Sequence, residues 1–274
     1  MVWTEITREQ YRRDDLRYAS DLREREWNLL APLLPPPRKI GRPRKVDLRV
    51  VVGAILYILG SGCQWRMLPK EFPPRATVQY YFYGWRDWRI WHRINFVLVK
   101  RAREAARRNA IPSAGVIDSQ SVKTTESGGP SGFDMAKRVK GRKRHIVTDT
   151  VGLLLAVQVH PANIQDVHGA VPLLREIAER FPKLRHIFAD RVYRGPQLVN
   201  ALAGSGKWEI EIVNRSQSVG TFVAEPKRWV IERSFAWFGR NRRLSKDFEE
   251  TIASAETWFV LASIQLLLRR LARA

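Results

Sequence analysis

The sequence predicts a mixed α/β protein whose N-terminal part is helical, and three features of the chain indicate this fold class. Residues 1–111 show the apolar spacing of helices, interrupted by stretches rich in Pro and Gly. After residue 112 the pattern changes to short apolar runs separated by turn residues, which is typical of strands. Farther along, predicted helices alternate with predicted strands, as they do in sheets with parallel strands. We therefore expect two domains, 1–111 and 112–274.

The N-terminal region is predicted to be all-α, with a basic linker at residues 35–46. The linker combines Pro, Gly and cations, which fits either a solvated connection or an arm in the minor groove of DNA, and both interpretations stay open. Asp47 is predicted to cap a buried helix over 48–60. Two helices around the Pro73-Pro74 break, the second rich in Arg and aromatic residues, resemble a helix-turn-helix DNA-binding unit.

The mixed region is predicted to contain five strands and several helices. The first three strands follow one another in hairpin succession, at 114–118, 144–150 and 153–160. The later elements are a helix over 166–181, a strand over 186–190, a short helix over 196–203, a strand over 208–213, and helices beginning at Trp229 and Ser254. This order predicts an RNase H-like fold, which has a five-stranded mixed sheet with flanking helices.

Three acidic residues are candidates for a common site in this fold. Asp118 and Asp190 each end an apolar run that is predicted to be a buried strand. Because these two strands should be parallel neighbours, their carboxyl ends meet at one edge of the sheet. Glu232 lies in a strongly periodic helical segment. Asp149 also ends an apolar strand, but that strand is antiparallel, so we expect Asp149 at the opposite edge, in a hairpin turn.

Three carboxylates from two strand ends and one helix have the composition of a site for two Mg²⁺ ions. Two like charges close together repel each other, and a bound divalent metal keeps both of them ionised. We expect Asp118 to bridge both ions, while Asp190 and Glu232 each complete one. Such a metal pair supports in-line phosphoryl transfer. Asn163 and Asp166 follow the third strand and are predicted to touch substrate or orient a ligand, although Asp166 also suits a helix cap.

The chain is strongly basic, with 48 Lys and Arg against 27 Asp and Glu and a formal net charge of +21. Such an imbalance is typical of proteins that bind nucleic-acid phosphates. The candidate DNA contacts lie in the linker, in the Gly-rich stretch before the second strand and around Glu232, and a merely solvated charged surface is the alternative. They are Arg42, Arg44, Lys45, Lys137, Arg138, Lys140, Arg142, Lys143, Arg144, Arg228, Arg240, Arg242 and Arg243.

Cysteine usage and apolar runs bound the cellular setting. The single cysteine, Cys63, excludes an intramolecular disulfide and fits a reducing compartment. The N-terminus is charged and lacks a secretory apolar region. The longest apolar stretch, residues 50–59, is shorter than the roughly 20 residues that a membrane span needs. We expect a cytoplasmic, nucleoid-associated protein with no membrane partner and no small-molecule cofactor.

The stretches around the three acids are long enough to resemble a known family. They are GVIDSQSVKT around Asp118, KRVKGRKRHIVTDTVGLLLAV after it, ADRVYRG around Asp190 and RWVIERSFAWFGRNRRLSKDFE around Glu232. They are similar to the DDE transposases of bacterial insertion sequences, in particular the insertion-sequence-five family of the wider four/five-like group. The stretch GRPRKVDLRVVVGAILYILGSGCQWRMLPKEFP is similar to the helical DNA-binding region of the same proteins.

The resemblance implies a catalytic and metal-binding role for Asp118, Asp190 and Glu232. It implies two Mg²⁺ ions in each site, with Mn²⁺ as a substitute. In this family water cuts double-stranded DNA at the terminal inverted repeats of the element, and the freed 3′-hydroxyl then attacks target DNA. Coordinated cutting of two ends implies a homodimer or a higher assembly on DNA.

The chain departs from the family pattern at three positions. Arg228 matches the Arg that often precedes the third acid. Glu225 stands where the family often has Tyr, and Gly239 stands where it often has Lys, for which Arg240 or Arg242 is the candidate replacement. After the second acid, Val192 takes the place of a Gly.

Three hypotheses for the function follow, and a transposase is the leading one. The second is a DNA-binding regulator of the element that keeps the fold but has lost the chemistry, binding DNA through residues 40–110. The third is an RNase H-like nuclease without strand transfer. The three acids disfavour the second hypothesis, and the basic helical N-terminal region disfavours the third.

Overall fold

The computed structural model describes residues 5, 9, 11–37, 43–126, 128–205, 208–213 and 226–273, and of residues 226–228 the backbone alone. The predictions made for Arg42 and Glu225, and for the side chain of Arg228, lie outside this described part.

Among the residues that the structure describes, four α-helices with defined bounds precede the sheet. They are α1 (Glu24–Leu30), α2 (Leu48–Ser61), α3 (Arg75–Asp87) and α4 (Ile90–Ala105). The helix predicted over 48–60 is confirmed, because Asp47 Oδ1 accepts the backbone N–H of Arg49 at 2.8 Å and caps α2. Gly62 ends α2 in the left-handed conformation, with φ 70°.

The helix-turn-helix is not confirmed. Residues 62–74 separate α2 from α3, a connection longer than the three or four residues of that unit. Between α3 and α4 only Trp88 and Arg89 intervene, and Arg89 adopts a left-handed conformation with φ 51°. A DNA-recognition role for these helices therefore stays a prediction.

Within the described ranges, six strands form one mixed sheet. They are β1 (Ala114–Lys123), β2 (Gly132–Asp134), β3 (Val139–Asp149), β4 (Leu154–Pro161), β5 (His186–Ala189) and β6 (Glu209–Ile212). The long strands lie in the order β4-β3-β1-β5-β6, and the short β2 pairs with the start of β3. β1, β5 and β6 are parallel, while β3 is antiparallel to β1 and β4. This mixed sheet with its flanking helices is consistent with the predicted RNase H-like core.

The first two strands are longer than predicted. The first was expected to end at Asp118, but β1 continues to Lys123, and β3 begins at Val139 instead of Arg144. Backbone pairing explains the difference, because residues 119–123 pair with residues 141–145 of β3. Val122 is the only apolar side chain of residues 119–123, so an apolar pattern could not reveal this extension.

In the part of the chain that the structure describes, four further α-helices follow or flank the later strands. They are α5 (Asp166–Arg180), α6 (Pro196–Ala201), α7 (Pro226–Gly239) and α8 (Ile252–Leu271). Helix α7 contacts β1 and β5, so it crosses the sheet close to the strands that carry the two predicted aspartates.

The N-terminal helices and α8 share one hydrophobic core. Trp258 of α8 stacks on Phe82 of α3 with ring centroids 4.5 Å apart. Asn95 of α4 donates to the carbonyl of Leu154 at 2.9 Å and accepts the hydroxyl of Ser263 at 2.7 Å. The first helices therefore pack against the sheet and its last helix. The predicted division at residues 111/112 remains a prediction.

Helix α8 is long and apolar enough to cross a membrane by length and composition alone, with a mean hydropathy of 1.2. Within the protein, 72% of that stretch is buried. Packing against α4 and β4 accounts for its apolar character.

Candidate functional site

The parallel pairing of β1 with β5 brings two of the predicted acids to one edge of the sheet. The last paired residues of these strands are Val116 and Phe188. Asp118 and Asp190 each lie two residues farther along, so they occupy matching positions beyond the last pair. Because side chains alternate along a strand, Asp118 lies on the face of β1 that carries Val116. The charge of Asp190 acts on Asp118, so the two carboxyl groups are near each other. The prediction that these two acids meet agrees with this register.

The turn after β5 fixes the backbone around Asp190. Its Oδ1 accepts the N–H of Val192 at 2.9 Å and caps a short 3₁₀ helix, Arg191–Tyr193. Val192, which stands where the family has Gly, is 51% exposed and has an ordinary negative φ as part of that 3₁₀ turn. The turn therefore needs no glycine at this position.

Burial and mutual repulsion act on the carboxyl group of Asp118. Burial raises the pKa of Asp118 to about 6, and the charge of Asp190 adds to this increase against the hydrogen bond from the Ser119 N–H. That hydrogen bond measures 2.7 Å. Two carboxylates that repel each other in a half-buried edge are favourable for a cation, and oxygen ligands are those that Mg²⁺ prefers. The donor set at Asp118 and Asp190 thus fits a divalent metal.

The third predicted acid, Glu232, lies on α7. The buried side of α7 carries Val230, Ile231, Ser234 and Phe238, while Glu232 is exposed. Within the described residues, no group of three or more His, Cys, Asp or Glu side chains is arranged to hold a metal ion. The role of Glu232 as a third ligand therefore stays a prediction.

A buried polar network supports the strand that carries Asp118. Asp166, in the first turn of α5, accepts the hydroxyl of Ser119 at 2.6 Å. The Nζ of Lys143 lies 3.2 Å from the same carboxylate. Gln165, and not Asp166, is the N-cap residue of α5, so the helix-cap interpretation of Asp166 is wrong. Asp166 instead ties α5 to β1 and β3, next to Asp118.

The network extends to the turn that carries Asp190. The hydroxyl of Tyr193 lies 3.2 Å from Nδ1 of His145 on β3, and both side chains are buried. Burial, with the nearby His160, lowers the pKa of His145 to about 3, so the ring is neutral near pH 7. Ser119, His145 and Tyr193 were not among the site residues predicted from the sequence. Tyr193 was detectable, since it lies three residues after Asp190 in the quoted ADRVYRG motif.

Four of the predicted DNA contacts are buried and bind the protein itself, so the structure contradicts a surface role for them. Arg142 donates to the carbonyls of Glu249 and Glu250 at 2.7 and 2.8 Å. Arg144 donates to the carbonyl of Leu244 at 2.7 Å. Their partners lie about a hundred positions away, which no local sequence pattern could reveal. The four buried cations are Arg142, Lys143, Arg144 and Arg243.

The other described cations predicted to contact DNA are exposed. Asn163 is exposed as well and packs against Gly132 at the start of β2. The exposed cations are Arg44, Lys45, Lys137, Arg138, Lys140, Arg240 and Arg242.

Asp149 lies where the topology predicted, away from the candidate site. It is paired with Gly115 at the far end of β1, and its Oδ1 accepts the N–H groups of Val151 and Leu153 at 3.0 and 2.9 Å. Its other carboxylate oxygen binds the guanidinium of Arg103. Asp149 is therefore a structural residue of the hairpin turn.

Parts of the chain are similar in sequence to known transposase families and proteins. Residues 22–95 match the family described as "Putative transposase of IS4/5 family". The chain is 35% identical over 128 residues to the "Putative transposase for insertion sequence element IS402" of Burkholderia cepacia, a match that covers 44% of this chain and 59% of that relative's length. It is 31% identical over 112 residues to the "Insertion element IS402 uncharacterized 16.2 kDa protein" of the same organism, covering 37% and 72%. No solved structure matches the chain.

The match of greatest extent contains all three predicted acids. Residues 109–267, more than half of the 274-residue chain, match the family described as "Transposase DDE domain". Asp118, Asp190 and Glu232 all lie inside this range. The chain therefore belongs to the DDE transposase family of bacterial insertion sequences.

Proposed function

We propose that this protein is the transposase of an insertion sequence that cuts double-stranded DNA at the terminal inverted repeats and joins the freed ends to target DNA. The observation that carries the proposal is the matching position of Asp118 and Asp190 at one edge of the sheet, in a chain with a net charge of +21. An acidic pair that suits a divalent metal, inside a strongly basic protein, is a combination well suited to phosphodiester chemistry.

The proposed reaction consists of two displacements at phosphorus. In the first, a water oxygen bonds to the phosphorus at the element's end, the P–O bond to the 3′ oxygen breaks, and that oxygen leaves as a 3′-hydroxyl. In the second, the 3′-hydroxyl oxygen bonds to a phosphorus of target DNA, and the 3′ oxygen of the target strand leaves. A divalent metal, when bound, supplies activation of the attacking oxygen and stabilisation of charge on the phosphate.

The residues of this chain would hold the metal and fix its ligands. We assign Asp118, Asp190 and Glu232 as catalytic residues and as ligands of two Mg²⁺ ions, which Mn²⁺ can replace. Asp166 orients the Asp118 strand through the hydroxyl of Ser119, 2.6 Å away. Tyr193 links the Asp190 turn to β3 through His145, 3.2 Å away. Fixed ligands lower the reorganisation that the reaction demands.

We further propose that DNA follows the exposed cations and that two copies act together on paired ends. Arg44 and Lys45 lie in the basic linker, and Lys137, Arg138 and Lys140 lie beside the Asp118 strand. Near α7, Arg240 and Arg242 are exposed, and we include Arg228 of the same segment. Such an enzyme would work in the cytoplasm, on the nucleoid.

The test compares purified variants on DNA that carries the native flanks of this gene, with Mg²⁺ present. We expect the wild type to produce new 3′-hydroxyl ends at matched flanking repeats. Asp190→Asn should bind the same DNA but cut it about 10³-fold more slowly or not at all. The control is Asp14→Asn, whose side chain is 79% exposed and lies outside the site, and it should cut like the wild type. Equal cutting by Asp190→Asn and the wild type would overturn the site assignment.

A DNA-binding regulator without cleavage is the second candidate. The departures from the family pattern at Glu225 and Gly239 favour it. It predicts tight binding to the flanking repeats with no new 3′-hydroxyl ends in Mg²⁺ or Mn²⁺. The same experiment therefore separates the two candidates.

A further inference from the structure

The hairpin of residues 132–141 is held tightly at its base. Gly132 and Gly141 face each other as a pair across it. A Cβ atom on Gly132 would lie 2.0 Å from Oδ1 of Asn163, and one on Gly141 would lie 2.0 Å from the carbonyl oxygen of Val122. Both sides of the hairpin thus contact the rest of the protein directly, so its direction relative to the sheet is fixed.

The turn of the hairpin, residues 135–138, is anchored by a buried aspartate. Asp134 accepts the backbone N–H groups of Ala136 and Lys137, each at 3.0 Å. It also accepts the hydroxyl of Ser121 on β1 at 2.6 Å. These bonds connect the turn to the strand that carries the candidate ligand, and they make the turn a rigid element.

The hairpin presents apolar side chains to solvent on either side of this anchor. Phe133 is 45% exposed, and Met135 is 80% exposed, the highest value among large apolar residues in the described part of the chain. Exposing two large apolar groups on a rigid turn gives no packing energy to the isolated protein. Such groups are typical of a surface that is covered by a partner.

The charges around Phe133 and Met135 indicate which kind of molecule would cover them. Lys137, Arg138 and Lys140 are exposed, whereas Asp134, the acid of this hairpin, is buried. The accessible surface of the hairpin is therefore apolar and cationic. Cations that bind phosphates beside an apolar side chain that enters between base pairs are the combination by which proteins unstack and bend duplex DNA.

The hairpin is also close to the candidate site. Nζ of Lys137 donates to the carbonyl of Ser119 at 3.2 Å, and Ser119 follows Asp118 directly. A duplex that places a phosphate at Asp118 therefore also lies next to the turn of this hairpin.

We propose that Met135, supported by Phe133, is a wedge that inserts between base pairs of the substrate duplex beside the phosphate to be cut. Lys137, Arg138 and Lys140 hold the neighbouring phosphates. The inference rests on the proposed function, because it takes DNA as the substrate of this edge. It assigns to the hairpin a DNA-distorting role that is separate from the metal chemistry.

The experiment uses the full chain and a duplex with the native flanking sequence, carrying 2-aminopurine at successive positions around the cleavage point. Unstacking of 2-aminopurine increases its fluorescence. The test variants are Met135→Ser and Met135→Ser combined with Phe133→Thr, which leave every cation in place. The matched control is Met67→Ser, since Met67 is 69% exposed and lies in another part of the chain. Fluorescence anisotropy measures binding, and thermal melting checks that each variant is folded.

We expect wild type and Met67→Ser to raise the fluorescence severalfold at one or two adjacent positions. Met135→Ser should lose most of this increase, while its affinity changes less than about fivefold. An unchanged increase in the Met135 variants, or no increase with wild-type protein bound, would overturn the wedge. A change in oligomeric state of Met135→Ser would assign the tip to a protein interface instead.

This experiment also distinguishes a failure of the proposed function from a failure of the wedge. The Asp190→Asn protein should produce the full fluorescence increase without cutting. An increase that depends on Met135 in a protein that never cuts DNA would retain the wedge and overturn the transposase chemistry.

Discussion

At the scale of single residues, the pair of Arg103 and Asp149 shows how strongly this fold depends on a buried charge. The side chains are 7% and 0% exposed, and the pair joins α4 to the hairpin turn between β3 and β4. Removing one partner of such a pair leaves the other charge without compensation in a medium that solvates it poorly.

We predict that Asp149→Ala lowers the free energy of unfolding by about 3–5 kcal/mol, because it leaves the buried guanidinium of Arg103 without its carboxylate partner. Asp87→Ala is the control, since Asp87 is paired with Arg86 but its side chain is 58% exposed. That change should cost about 0–1 kcal/mol. Urea denaturation of the three proteins measures both values, and equal losses in the two variants would contradict the prediction.

The same scale shows what a sequence can reveal of the site. Asp118, Asp190 and the far position of Asp149 were predictable, because strand direction decides which edge a residue reaches. The burial of Arg142 and Arg144 was not, since most of their partners are groups of residues 244–250, about a hundred positions farther along the chain. From the sequence alone, an Arg that binds the protein's own carbonyls cannot be distinguished from an Arg that binds phosphate.

At the scale of elements, α8 completes the open edge of the sheet. The carboxylate of Glu256 accepts the N–H of Val159 on β4 at 2.9 Å, so a backbone donor of this edge strand has a partner. Burial raises the pKa of Glu256 to about 7 despite that hydrogen bond, and the charge of Glu176 contributes.

This raised pKa predicts a pH dependence of stability. The pKa of Glu256 is about 7 in the folded protein and near 4.5 in the unfolded chain. The folded protein therefore holds this proton more tightly. The stabilisation is therefore fully present below pH 4.5 and is lost as the pH rises through about 7. We predict that Glu256→Gln, which keeps an oxygen acceptor, is more stable than wild type by about 2–3 kcal/mol at pH 8.

Urea denaturation at pH 5 and pH 8 tests this prediction. The difference in stability between Glu256→Gln and wild type should be small at pH 5 and large at pH 8. A difference that does not change with pH would mean that Glu256 does not carry the titration.

The base of the 132–141 hairpin gives a second prediction at this scale. Gly141→Ala places a Cβ 2.0 Å from the backbone oxygen of Val122, which cannot move without shifting β1. We expect a loss of about 1–3 kcal/mol in the free energy of unfolding. Gly84→Ala is the matched control, because a Cβ there meets nothing within 4 Å and helix α3 gains about 0.5–1 kcal/mol from the change. Thermal melting of both variants should give shifts of opposite sign.

The boundaries of helices and strands could be predicted from the sequence only where buried apolar residues mark them. The helix at 48–61 and the apolar strands were predictable, since burial selects their residues. The second half of β1 and the short β2 were not, because their stability comes from backbone pairing with β3 and from hydrogen bonds such as Ser121 to Asp134.

At the scale of the whole molecule, the shared core determines how the protein unfolds. Trp258 packs on Phe82, and Asn95 joins Ser263 to the sheet. These contacts link the first helices, the sheet and the last helix, so none of them can lose its packing alone. The sequence predicted two domains, and no local pattern could report packing between segments that lie more than 150 residues apart.

We therefore predict a single cooperative unfolding transition in urea. Tryptophan fluorescence and far-ultraviolet circular dichroism should follow the same curve with the same midpoint. Two separate transitions, one for each predicted domain, would show that the core between α4 and α8 adds little stability.

The core that joins Phe82 to Trp258 also limits how such a gene can change over time. A recombination event that replaced only the 5′ part of the gene would combine the residues around position 82 of another protein with Trp258 of this one. The hybrid would lose interlocked packing of the kind that costs about 3–5 kcal/mol when one large aromatic side chain is removed. New surface properties should then arise by point substitutions, while the two ends of the gene are inherited together.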